Sequence, residues 1–310
     1  MNSLLIFLII RSRVKEVKQY GKILLQIAVI DSAYSFVTTA VQPITLTVDG
    51  VNYFVQNGPL RHVPQPYNFY IFLVWFYFHF MQFFSVPIQF IYRYLILCRD
   101  TKISNRKYFC FFIPPMIVVF FQTIFFGLIY KHEEIHDLNA TRDIGRWLLE
   151  SGESTVHLTC VGPPGDIGVL MGNVETICFI GLNYIIIGLC AFRIHVHLQR
   201  SKGHFSTRTA AMHKSFTRLL FIQGVLPIVS SIGPTLLICY VYVFRLSLIN
   251  FAFFLDFCNA WLPTVGASFV LFIFKPFRSQ ILRGKFLSTL MNTATNSNHS
   301  NPAVAVTPNT

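Results

Sequence analysis

Apolar residues in this chain fall in long, charge-poor blocks, not in the short amphipathic runs of a water-soluble domain. Six blocks are long enough to cross a bilayer, at about Gly21–Thr47, Asn68–Leu97, Tyr108–Tyr130, Val169–Phe192, Phe216–Val243 and Leu248–Phe274. Roughly 20 helical residues cross the ~30 Å hydrocarbon layer. Only helices and closed barrels satisfy every backbone N–H and C=O there. The blocks lack the alternation of barrel strands, so the pattern predicts helices. A seventh apolar stretch, Leu4–Ile10, is too short to cross and is stopped by Arg11, Arg13 and Lys15. It has neither the basic start nor the small-residue cleavage site of a signal peptide, and reads as the cytoplasmic half of a first span whose outer half is missing. The expected fold class is all-α, a polytopic membrane bundle of seven transmembrane helices with the first (about 3–10) truncated. Residues 1–286 form the membrane domain, including a short amphipathic cytoplasmic helix after the last span, and 287–310 a disordered cytoplasmic tail.

Composition alone, 53% hydrophobic and 12% charged, is compatible with two soluble domains; the block pattern excludes them. The formal charge of +12 raises the question of nucleic acid, and its placement answers it. The segments around Arg11–Lys22, Arg93–Lys107, Arg193–Arg218 and Lys275–Lys285 hold 20 of the 25 Lys and Arg, and the alternate segments hold Arg61, Lys131, Arg142, Arg146 and Arg245. This alternation is the positive-inside rule applied to seven crossings. It expects the N-terminus outside, the C-terminus in the cytoplasm, a lipid bilayer as surroundings and no nucleic-acid partner. The sequon Asn139-Ala140-Thr141 then falls in the longest outside loop and is the expected glycosylation site, whereas Asn298-His299-Ser300 falls in the cytoplasmic tail and stays unmodified.

Chemistry-bearing residues are few. His132-Glu133-Glu134-Ile135-His136 matches the H-E-x-x-H pattern in which two histidines hold zinc and a glutamate activates water. A membrane zinc hydrolase using His132, Glu133 and His136 is therefore an alternative, although a third ligand would have to come from across a loop. The seven cysteines are scattered without metal-ligand spacing, and only Cys160 lies in an outside loop. No enzyme activity, cofactor or metal is expected. Ionisable groups inside spans carry function by default, since their burial in lipid is costly. Asp31 lies about 15 Å into the second span from the cytoplasmic side at helical rise. Asp256 and Asn259 sit in the outer half of the seventh span, Glu175 near the outer end of the fifth, and His79 near the middle of the third. These are candidates for ligand contact, an ion site or a protonation switch, or else polar groups satisfied by neighbouring helices. Pro87, Pro227 and Pro263 interrupt spans, and Pro114-Pro115 falls near an end; each is expected to kink its helix. Pro227, one turn after Gln223 and Gly224, is either a hinge or a fixed bend. A transporter or channel remains a further alternative, with no internal repeat to support it.

Ile91-Tyr92-Arg93-Tyr94 stands at the cytoplasmic end of the third span and Lys275-Pro276-Phe277-Arg278 at that of the seventh. Either can be an ordinary aromatic and basic interface belt. In their places they also make the chain resemble a nematode serpentine chemoreceptor of the Str superfamily, nearest to the Srd class. The likeness runs over essentially the whole chain. It is carried further by Leu4–Arg11 with Tyr20-Gly21-Lys22 and Asp31, by Asn57-Gly58-Pro59, by Phe90, and by Thr207-Arg208 through His213-Lys214 into Gln223 and Pro227. The family's Gly-Pro-Cys before the third span reads Gly58-Pro59-Leu60 here, so the resemblance carries no disulfide from this point to Cys160.

The resemblance implies a chemosensory G-protein-coupled receptor in the plasma membrane, at the cilium of sensory neurons. Its partners would be an odorant or pheromone-like small molecule and a heterotrimeric G protein. By that analogy Arg93, framed by Tyr92 and Tyr94, is the arginine that contacts the G protein or holds the inactive state, with Pro227 and Arg278 in the same switch. His79, Glu175, Asp256 and Asn259 are the expected ligand contacts, in a pocket opening outward among the third, fifth, sixth and seventh spans.

Overall fold

The computed structural model describes residues 1–12, 15–101, 103–130, 158–163, 165–200, 207–248, 252–274 and 277–278. The H-E-x-x-H motif, both sequons, Lys275-Pro276 and the tail lie outside them. The described helices are α1 (Asn2–Arg11), α2 (Lys15–Val41), α3 (Tyr67–Cys98), α4 (Asn105–Cys110), α5 (Ile113–Ile129), α6 (Ile167–Arg200), α7 (Thr207–Pro227), α8 (Gly233–Val243) and α9 (Ala252–Ile273). Among the described residues six helical stretches are long and apolar enough to cross a membrane: Gly21–Val41, Tyr67–Cys98, Arg106–Ile129, Ile167–Arg200, Ser215–Val243 and Phe253–Ile273. Large apolar side chains such as Phe121, Leu128, Leu189 and Phe192 project outward from them, as lipid-facing surfaces do. The short α1 buries Leu5, Leu8 and Ile9 in a cluster with Ile23 and Leu24 of α2 and Val270 and Leu271 of α9.

The first correction to the sequence reading falls at the end of α2. The helix stops at Val41, not Thr47, because Gln42 turns left-handed (φ 45°) and closes the helix with its N–H on the Thr38 carbonyl (2.7 Å). Pro43 cannot continue a helix. Residues Pro43–Val48 instead form strand β1, which pairs antiparallel with β2 (Val51–Gln56), and β3 (Leu158–Gly162) adds to β2 in the order β1-β2-β3. Asp49 and Gly50 both have positive φ (50° and 77°), the geometry of a type I′ hairpin turn. An Asp-Gly pair between runs rich in Val, Ile and Thr is a strong hairpin signal; the apolar character of Ile44–Val48 disguised it as the end of a span.

The sheet caps one end of the bundle and is held on several sides. The Asp256 carboxylate accepts the Thr45 N–H (2.8 Å), Leu248 N–H donates to the Thr47 carbonyl (2.7 Å), and Gln56 Nε2 donates to Asn68 of α3 (2.8 Å). Tyr242 Oη donates to the Pro163 carbonyl just beyond β3 (2.9 Å). Gly58 is required here for another reason. A Cβ at this position would stand 2.3 Å from the Ala40 carbonyl oxygen, so only glycine lets the chain leaving β2 lie against the end of α2.

Two spans are built differently from continuous helices. The fourth consists of α4 and α5 with a turn at Phe111–Phe112, and its two prolines occupy the start of α5. A missing N–H there costs no helical hydrogen bond, so they begin a helix and do not kink one. The sixth runs as α7, a π-helical segment Ile228–Ile232 immediately after Pro227, and α8.

Among the described residues the interior has two apolar clusters. One, at the sheet end, gathers Tyr34, Phe54, Phe72, Trp75, Phe76, Phe126 and Tyr130. The other, at the opposite end, gathers Ile23, Phe90, Tyr92, Tyr108, Phe216, Leu219 and Phe274. Along α2 and α3 the change from one to the other falls at Asp31 and at Gln82–Ser85, where a polar layer crosses the bundle.

Candidate functional site

Under the sheet lies a cavity of about 120 Å³. Its aromatic wall is built by a helical repeat. Trp75, Phe76, His79 and Phe80 recur on one face of α3, and Phe126 and Tyr130 stand one turn apart at the end of the fourth span. Phe126 and Tyr130 stack (centroids 4.0 Å, 16°), Phe76 meets Phe126 at 4.1 Å, and Phe54 of β2 packs edge-on to Tyr130 at 5.2 Å. All four residues expected to meet a ligand, His79, Glu175, Asp256 and Asn259, line this one cavity. His79 is stacked on Trp75 (5.1 Å, 19°), with Nδ1 3.4 Å from Tyr34 Oη. Trp75 is fixed in turn by its Nε1–H bond to Thr38 Oγ1 (3.1 Å). Asp256 serves two purposes, holding β1 through Thr45 and facing the cavity.

The wall also includes groups the sequence reading did not name. Thr45, Asn52 and Phe54 come from the hairpin, and Gln122, Phe125, Phe126 and Ile129 from the fourth span. Gln122 is buried (3% exposed) with Nε2 3.4 Å from Thr176 Oγ1, while its Oε1 has no hydrogen-bond partner among the described residues. The Nδ2 of Asn173, one turn before Thr176 on α6, is likewise buried and unpartnered there. A lone glutamine in the apolar α5 was the available signal. The hairpin's share was invisible without its turn. A second hollow, of about 470 Å³ between α2, β1 and α9, shares Trp75, Asp256 and Asn259 with the first.

Midway along the bundle, Gln82 Nε2 donates to Asp31 Oδ1 (3.0 Å). A small hollow of about 50 Å³ beside them is bordered by Ser85, Gln89, Gln223 and Pro227. Asp31 is thus not a contact of the sheet-end cavity; it belongs with the residues around the π-helical segment. Gly224, next to Gln223, exposes its carbonyl to Tyr184 Oη of α6 (2.9 Å), a bond across helices at the irregular point of the sixth span.

At the far end Arg93 is 1% exposed. Its Nη2 donates to Thr217 Oγ1 (2.7 Å), and its guanidinium lies 5.1 Å from the centre of the Phe216 ring. A charge-assisted bond and a cation–π contact therefore tie α3 to α7. Tyr92 and Tyr94 part company. Tyr92 packs edge-on to Tyr108 (4.8 Å), whose hydroxyl bonds to Gln26 of α2, while the Tyr94 hydroxyl accepts from Arg99 Nε (3.2 Å) at the surface. Arg278 is exposed and is not brought to Arg93; its N–H bonds to the Phe274 carbonyl (3.1 Å). The neighbouring Phe277 is fully buried and packs tilted against Phe274 (5.4 Å), which meets Phe216 (6.0 Å). Phe216 and Thr217 are therefore the partners at this end that sequence patterning passed over as span residues, and Phe277, part of the Lys275–Arg278 motif, is a member of that motif that enters the packing. Cys160, at the sheet end opposite Phe54, is a free buried thiol whose pKa burial pushes up.

Comparison with known proteins comes down on one family. Residues 1–282 match the family model described as serpentine type 7TM GPCR chemoreceptor Str. Among solved structures, the crystal structure of squid rhodopsin superposes with a TM-score of 0.62 over 97% of this chain and 87% of that one, at 13% sequence identity. At that identity the likeness concerns the fold alone. No curated protein sequence matches the chain.

Proposed function

This chain belongs to the family of serpentine seven-span GPCR chemoreceptors termed Str, and from that premise we propose that it detects an environmental small molecule in the sheet-end cavity and activates a heterotrimeric G protein at the Arg93 end. The observation that carries the reading is the division of labour along the bundle. The predicted ligand contacts meet in one cavity at one end, and a buried arginine joins α3 to α7 at the other. In the rest of this reading the N-terminus faces outside and the C-terminus the cytoplasm, in the ciliary membrane of chemosensory neurons. Placement nearest the nematode Srd class rests on the sequence likeness that runs over the whole chain.

Mechanistically, an agonist shifts a population only by binding one packing better than the other. Arg93, at 1% exposure, cannot meet a partner protein, so the packing described is the resting one. Activation then moves α7 away from α3 and uncovers Arg93. The π-helical segment after Pro227 is the element that absorbs the movement, since its wider turn already departs from α-helical hydrogen bonding. Asp31, Gln82 and Gln223 border a small hollow with Pro227, where this joint begins. A panel of small volatiles applied to cells expressing the chain, read by calcium or cAMP, tests the reading. An Arg93→Ala variant is expected to reach the surface yet lose the response; an unchanged agonist response would remove Arg93 from the mechanism.

A further inference from the structure

We propose that the sheet-end cavity is built for a small organic cation, a primary or secondary amine on a compact apolar or aromatic body. This rests on the reading of that cavity as the ligand site. Among the described residues its wall carries two carboxylates, Asp256 and Glu175, and no Lys or Arg. Among the described residues neither carboxylate has an ion-pair partner. One oxygen of Asp256 is used by the Thr45 N–H, which leaves the other oxygen for a ligand. The acidic pair does not stand alone as a signal. The Oε1 of Gln122, on a side chain 3% exposed, is a further buried acceptor without a partner among the described residues. Gln122 also lines the cavity. An unpartnered donor, Asn173 Nδ2, stands on the same wall, and a group with several N–H bonds, as an ammonium has, would meet the two carboxylates and the Gln122 carbonyl.

The aromatic lining agrees with this charge. Ring faces carry the negative part of the quadrupole and attract cations, and Trp75, Phe76, Phe126 and Tyr130 all line the cavity. His79, the other titratable base on the wall, is turned to Tyr34 Oη and stacked on Trp75. A carboxylate at this depth is costly when isolated, and a bound cation relieves that cost, so occupancy and stability are coupled. Size follows from volume. An engineered cavity of about 150 Å³ accepts benzene, so about 120 Å³ sets the scale at a single ring or a short branched chain.

The test uses the full chain in lipid nanodiscs and three probes of matched size, benzylamine, benzyl alcohol and benzoate, with the melting midpoint as readout. Benzylamine is expected to raise the midpoint in a dose-dependent way, and the other two to do so weakly or not at all. Replacing both carboxylates by amides (Glu175→Gln with Asp256→Asn) keeps an acceptor for the Thr45 N–H and is expected to weaken benzylamine about tenfold or more. Gly172→Val tests the cavity itself. A Cβ there meets Ile129 and Phe125 at ordinary contact distances (3.6 and 4.0 Å), so the added bulk fills space without a backbone clash, and is expected to weaken every probe that binds. If benzyl alcohol or benzoate stabilises as well as benzylamine, or the amide variant keeps full benzylamine affinity, the cation assignment is overturned. The cavity stands in that case as long as Gly172→Val still weakens binding. If no probe stabilises the chain, or Gly172→Val leaves benzylamine binding unchanged, the proposal falls, the latter result because the cavity is not where the ligand sits.

Discussion

At the scale of single residues, Arg93 shows how much a side chain's partners add to its identity. An arginine at the end of an apolar span can snorkel to the interface. Here it is instead folded inward onto Thr217 and Phe216, where a hydrogen bond to a charged group contributes about 1.5–3 kcal/mol. Removing the acceptor while keeping the shape isolates that contribution. Thr217→Val is expected to raise agonist-independent signalling about tenfold, measured as basal cAMP or calcium at equal surface expression; unchanged basal signalling would mean that this bond does not hold the resting state. The arginine and its flanking tyrosines were legible in sequence, because charge at a span end is conspicuous. Thr217 and Phe216 were not, since each looks like one more residue of a span until the helices are packed. Gln122 stands out in sequence as a lone glutamine in the apolar α5, but its partner Thr176 comes from another helix.

At the scale of elements, the hairpin and the irregular sixth span matter most. The hairpin's Asp49-Gly50 turn depends on positive φ at both positions, and Gly50 lies close to Arg245 and the Tyr242 carbonyl, where an added Cβ would come within 3.0 to 3.2 Å. Gly50→Val is therefore expected to destabilise the cap by about 1–2 kcal/mol. The checks are a lower melting midpoint and weaker agonist potency, because β1 and β2 supply Thr45, Asn52 and Phe54 to the cavity wall. Wild-type melting and potency in this variant would mean that the sheet merely decorates the bundle. Span positions were readable along the chain because twenty apolar residues have few other uses. Span ends were less so. Apolar strand residues and apolar helix residues look alike in a hydropathy pattern, and only the left-handed Gln42 and the pairing of β1 with β2 separate them.

At the scale of the whole molecule, the six long crossings and the family match describe a seven-span receptor fold, and the alternation of basic segments predicts its orientation. Orientation is open to direct measurement. An N-terminal epitope is expected to be stained on intact cells and a C-terminal one only after permeabilisation, with Asn139→Gln abolishing a glycosidase-sensitive shift; the reverse staining would turn the cavity toward the cytoplasm. The sequence by itself determined the membrane, the helical class and the expected sidedness. These depend on properties summed along a segment, namely the transfer free energy of some twenty residues and the count of charges between segments, and neither sum needs to know which helix touches which. Tertiary structure alone decided that His79, Glu175, Asp256 and Asn259 share one cavity, that Asp31 keeps company with Gln82 and not with them, and that Arg93 is enclosed. Those are facts of rotation and register between helices. In a bilayer, where apolar surface gains little from facing protein in preference to lipid, rotation and register follow from packing and interhelical hydrogen bonds, which no single segment records.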